Sequence, residues 1–97
     1  MRREDFVFTI GYQGDTAIVD GHARSRYGRL STRQLAEQGF LKPALSSAVY
    51  SQSPEELEEV VRLFNEKSGT APVTLEQLKR VLGVFEVPQM ISKVKVI

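Results

Sequence analysis

Gly21-His22-Ala23-Arg24-Ser25-Arg26-Tyr27-Gly28-Arg29-Leu30-Ser31-Thr32-Arg33 is where this chain changes character. The residues before it read as a β-hairpin, and those after it read as a run of helices. The stretch itself reads as an arginine-rich loop joining the two. It holds Arg24, Arg26, Arg29 and Arg33, the only histidine, His22, and Tyr27. No Asp or Glu occurs between Asp20 and Glu37, so no sequence neighbour neutralises this charge.

On its N-terminal side, Phe6 to Tyr12 has the period-2 pattern of a strand, with Phe6, Phe8, Ile10 and Tyr12 on one face. Gln13-Gly14 breaks it, and Thr16 to Asp20 is the return strand. A two-residue loop at Gln13-Gly14 sets Ile10 against Ala17 and Phe8 against Val19, apolar on apolar. A three-residue loop sets Phe8 against Asp20, a worse match. Gln suits the first position of a type I′ turn poorly, because that position needs positive φ.

On its C-terminal side the helices announce themselves by their caps. Ser31 with Gln34 is a capping box, with Leu30 and Leu35 at the staple positions, and the helix over about 32–38 stops at Gly39. Pro43 fits the first turn of a second helix. There Leu41, Ala44, Leu45, Ala48 and Val49 follow the i, i+3, i+4, i+7, i+8 rule of a buried stripe. Ser53-Pro54-Glu55-Glu56 combines a cap, a first-turn proline and acids at the positive end of the dipole. Leu57, Val60, Val61 and Phe64 form that helix's apolar face, and Gly69 follows its end. Thr74 with Gln77 opens a fourth helix carrying Leu75, Leu78 and Leu82 to Gly83. The three boxes recur at similar intervals, but the residues between them do not match, so no repeat is implied.

Beyond Pro88, Ser92 to Ile97 alternates Lys93 and Lys95 with Val94 and Val96, an edge-strand pattern. It is expected to join the hairpin as a third strand, since two strands alone are marginal. The fold expected is α+β, ordered β-β-α-α-α-α-β, with a small antiparallel sheet and about four short helices over residues 1–97 as one domain.

Composition bounds the chemistry. The 97 residues are 41% hydrophobic and 26% charged, ordinary for a globular domain, with a net charge of only +1. Any electrostatic role must therefore rest on where charge lies. There is no cysteine, which rules out disulfides, thiolate nucleophiles and Cys-ligated metal. One histidine gives no multi-imidazole zinc site, and neither a metal nor a cofactor is expected. No apolar h-region follows Met1-Arg2-Arg3-Glu4-Asp5, and no run nears the ~20 apolar residues of a membrane span. The expectation is a cytoplasmic chain with no membrane contact.

Guanidinium forks with nearby glycines suit phosphate or carboxylate recognition. Tyr27 offers a ring for a base, and the helix start at Ser31-Thr32 adds backbone N–H groups beside Arg29 and Arg33. His22, Arg24, Arg26, Tyr27, Arg29 and Arg33 are thus the anion-binding candidates. The structural alternative pairs these arginines with Glu55, Glu56, Glu58 and Glu59.

Helices at 32–38 and 43–50 joined by Gly-Phe-Leu-Lys have helix-turn-helix dimensions. Gly39 falls one residue early for that motif, and the second helix exposes Ser46 and Ser47 but nothing that reads base edges. Asp20 and His22 could seed acid–base chemistry, but no nucleophile elbow, P-loop or metal spacing accompanies them.

The leading expectation is a non-catalytic binding or regulatory module that meets an anionic partner through the arginines. A nucleic-acid backbone comes first and an acidic protein surface second. The alternatives are a protein-interaction or homo-oligomerisation module, helped by apolar residues in 83–90, and a small enzyme using Asp20 and His22.

Overall fold

The computed structural model describes all 97 residues and shows an α+β fold of six helices and a three-stranded mixed sheet. In chain order these are α1 (Arg3–Val7), β1 (Thr9–Gln13), β2 (Thr16–Val19), α2 (Gly21–Tyr27), α3 (Thr32–Glu37), α4 (Leu41–Ser51), α5 (Pro54–Ser68), α6 (Leu75–Leu82) and β3 (Lys93–Val96). The sheet order is β1-β2-β3, with β2 in the middle.

The core forms around α4, which packs against α1, α3 and α5. Its Ala44, Leu45, Ala48 and Val49 are buried, the stripe that their spacing calls for. Phe6, Val7 and Phe8, Val19 of β2, Leu35 and Ala36 of α3, Val60 of α5, Leu78 of α6 and Val84 complete the cluster. Full burial of a leucine such as Leu35, Leu45 or Leu78 contributes on the order of 2 kcal/mol. Helices α3, α5 and α6 lie where their caps put them, while α4 starts at Leu41 without a side-chain cap, with Pro43 still in its first turn. The boxes at Ser31–Gln34 and Thr74–Gln77 are made in both directions. At Ser53 only half is made, because the Glu56 carboxylate turns instead to Thr32 and Ser51.

The N-terminal half departs from the pattern reading. Phe6 and Val7, read as the start of a strand, form the end of α1, with Phe8 as its C-cap, and β1 begins only at Thr9. Glu4 and Asp5 sit in the first turn of α1, at its positive end. Phe6, Val7 and Phe8 are all buried, which a one-sided strand does not permit. The Thr9 hydroxyl donates to the Asp5 carbonyl and fastens the change of direction. The hairpin closes through Gly14-Asp15, not Gln13-Gly14, so Gln13 faces Thr16, Tyr12 faces Ala17 and Gly11 faces Ile18. Gly14 has φ +58°, and glycine at the first loop position is what a II′ turn requires. The register slips at Ile10, and Thr9, not Phe8, stands opposite Val19.

Two further corrections concern direction and identity. β3 runs parallel to β2, so the sheet is mixed and not antiparallel. The helices between β2 and β3 form the long crossover that a parallel pair needs, returning the chain to the turn end of the hairpin. There the N–H groups of Ser92 and Lys93 both donate to the Asp15 carbonyl. The arginine-rich stretch is no loop over its first half. Asp20 caps it, accepting from the Ala23 N–H at 3.1 Å, and residues 21–27 are α2.

Candidate functional site

Helix formation sorts the candidate residues by face, because positions three and four apart share a side. Ala23 and Tyr27 of α2 pack inward against the core. His22, Arg26 and, one turn on, Arg29 fall on the outward side and are exposed. Arg24 lies between the two sides, its Nη1 2.5 Å from Asp5 Oδ1, on a carboxylate that is only 9% exposed. Arg33 stands on α3, its Nε 3.1 Å from Glu37 and 3.5 Å from Glu59. Arg24 and Arg33 are therefore met by the protein's own acids, while Arg26 and Arg29 form no ion pair. The pairing differs from the one anticipated: Glu59 alone of the α5 acids reaches an arginine of the stretch.

Tyr27 is engaged from both sides. Its ring lies 4.7 Å from that of Phe40, and the Arg26 guanidinium sits 5.6 Å from its centroid. Asp20 and His22 are not brought together, since the Asp20 carboxylate is the α2 cap and His22 points to solvent. Ser46 and Ser47, read as exposed, are buried at 6% and 1%. The face of α4 that a recognition helix would present is therefore turned into the molecule.

Ser47 belongs to a polar chain that sequence reasoning missed. Arg3 Nε donates to Ser47 Oγ at 3.0 Å, Ser47 and Thr32 hydroxyls meet at 2.7 Å, and Thr32 donates to Glu56. The rest of the Arg3 fork donates to the carbonyl of Gly28, at the negative end of α2, and to that of Leu30, just before the α3 cap. Lys67 does the same for α3, donating to the Ala36 and Glu37 carbonyls. Cations distant in sequence thus close two helix ends, and no local spacing signals it.

A second surface lies at the sheet. Ile10 is 61% exposed, Tyr12 45% and Phe85 63%, although Val84 beside them is core, and Met90, on the segment leading to β3, is 87% exposed. Partial burial pushes the Tyr12 phenol above its ordinary value. All of β3 is exposed, and Lys93 and Lys95 form no ion pair. No helix is long and apolar enough to cross a membrane. No protein-family model, curated protein or solved structure matches the chain.

Proposed function

We propose that this chain is a non-catalytic protein-interaction module whose partner is acidic. The observation that carries the reading is the uncovered apolar set Ile10, Tyr12, Phe85 and Met90 in a molecule whose Arg26, Arg29, Lys93 and Lys95 lack carboxylate partners. Apolar area supplies affinity, and unpaired cations choose the sign of what covers it. Fluorescence anisotropy with three labelled probes tests it: single-stranded DNA, duplex DNA, and an unstructured peptide of Glu, Val and Leu in random order. The peptide is expected to bind best, more weakly as salt rises. Equal or tighter binding of DNA, or no binding at all, overturns the reading.

A second reading keeps the nucleic-acid backbone, favoured by the exposed, unpaired Arg26 on α2 and Arg29 just beyond its end. It predicts that Arg26→Ala with Arg29→Ala flattens the salt dependence of DNA binding by about two units of log–log slope. An unchanged slope rules it out.

A further inference from the structure

We infer that the open edge of β3 takes up an extended segment of a partner protein, in which acidic and apolar residues alternate, as a fourth strand. The inference rests on the reading of the chain as a protein-interaction module and names the surface and the chemistry of its partner.

The backbone is poised for this. The N–H of Lys93 donates to the Asp15 carbonyl and that of Ile97 to the Val19 carbonyl, both towards β2. The alternation of a parallel ladder then turns the N–H and C=O groups of Val94 and Val96 to the open side. The strand is also held at its far end, where Gly21 N–H donates to the Ile97 carbonyl at 3.0 Å. An edge already fixed in place costs an incoming strand less ordering.

The side chains say what kind of strand fits. Val94 pairs with Ala17 and Val96 with Val19, so both valines share the inner face of the sheet. Ala17 and Val19 are fully buried, yet Val94 is 38% and Val96 45% exposed. The helices cover β2 and stop short of β3, leaving an apolar shelf. On the other face Lys93 and Lys95 flank Thr16 and Ile18 and form no ion pair, the nearby Asp15 carboxylate accepting instead from the Ser92 and Thr16 hydroxyls. A fourth strand that lays apolar residues beside the valines and acids beside the lysines satisfies both faces at once.

A second copy of the chain does not fit. Antiparallel self-pairing centred on Val94 sets Lys93 against Lys95, centring on Lys95 sets that residue against itself, and centring on Val96 pairs only Lys95 to Ile97, too short an overlap to hold two copies. Nor do acidic and apolar residues alternate over four consecutive positions anywhere in the sequence. The occupant is therefore a different protein.

The test is an NMR titration of the full chain with three blocked hexapeptides. One alternates Glu with Val, one holds the same residues as a block of Glu followed by a block of Val, and one alternates Lys with Val. The alternating acidic peptide is expected to bind at least about tenfold more tightly than the other two, and to slow amide exchange at Val94 and Val96 about tenfold or more. Lys93→Glu with Lys95→Glu should transfer the preference to the alternating lysine peptide. Equal binding of the two acidic peptides, or exchange at Val94 and Val96 left unchanged, overturns the strand-edge inference while leaving an acid-binding module standing. Failure of every acidic peptide to bind removes both.

Discussion

At the scale of single residues, the chain's unusual feature is a directed line of hydrogen bonds through its interior. A hydroxyl has one proton to give. Thr32 gives its proton to the Glu56 carboxylate, so it must accept the proton of Ser47, which in turn accepts from the Arg3 guanidinium. The line runs from cation to anion across α1, α4, α3 and α5. Ser47→Ala interrupts it at a site 1% exposed and should cost about 1–3 kcal/mol by urea denaturation. Combined with Thr32→Val, the loss should fall short of the sum of the two by about 1 kcal/mol, because either change already breaks the line. Strict additivity would mean that the hydroxyls act separately. The Asp5–Arg24 pair makes a different, asymmetric prediction. Arg24→Gln strands a carboxylate that is 9% exposed, whereas Asp5→Asn leaves a guanidinium that is one-third exposed and able to turn to water. Arg24→Gln should therefore cost about 2 kcal/mol and Asp5→Asn about 1 kcal/mol by the same measurement. The reverse order would place the buried member wrongly.

At the scale of elements, what could be read in advance was what is written locally. A Ser or Thr cap with Gln or Glu three residues on is a short-range signal, and α3, α5 and α6 begin where it stands. α1 and α2 carry weaker signals. Five residues are too few to show a helical period, and Asp20, the α2 cap, also reads as the last residue of a strand. The direction of β3 was not legible at all, because a strand's pattern is the same from either end. The candidate site suffered similarly: the arginines were visible, but Asp5, the partner of Arg24, stands 19 positions away on a helix whose last two residues read as the start of a strand. Gly21 shows how closely the late elements depend on the early ones. A Cβ there would lie 2.6 Å from Val96 Cγ1 and 2.8 Å from the Ile97 carbonyl oxygen, so even alanine forces the end of β3 away from α2. Gly21→Ala should speed amide exchange at Lys93, Lys95 and Ile97, whose N–H groups face β2, by about tenfold or more while leaving Leu35 and Leu45 protected, a local opening and not a global loss. Uniform acceleration across the chain would instead make β3 part of the cooperative core.

At the scale of the whole molecule, the chain covers itself less well than its size allows. A compact protein of 10.9 kDa leaves about 5,600 Å² accessible, and this one leaves 6165 Å² over dimensions of 38 × 25 × 21 Å. The excess is consistent with the uncovered apolar side chains, among them Phe85, Met90, Val94 and Val96. Two accounts of such side chains can be separated. If they stabilise the fold, trimming them lowers stability in proportion to the apolar area lost. If they are already in water, trimming them changes folding little and alters only what the surface attracts. Exposure of 63% for Phe85 and 87% for Met90 supports the second account. Phe85→Ser with Met90→Ser should leave the free energy of unfolding within about 0.5 kcal/mol of the parent and its denaturant slope unchanged. The same variant should bind the random Glu/Val/Leu peptide more weakly, since the apolar part of the contact is gone while every cation remains. A stability loss above about 2 kcal/mol would assign both residues to the core and leave the cations as the only support for a partner.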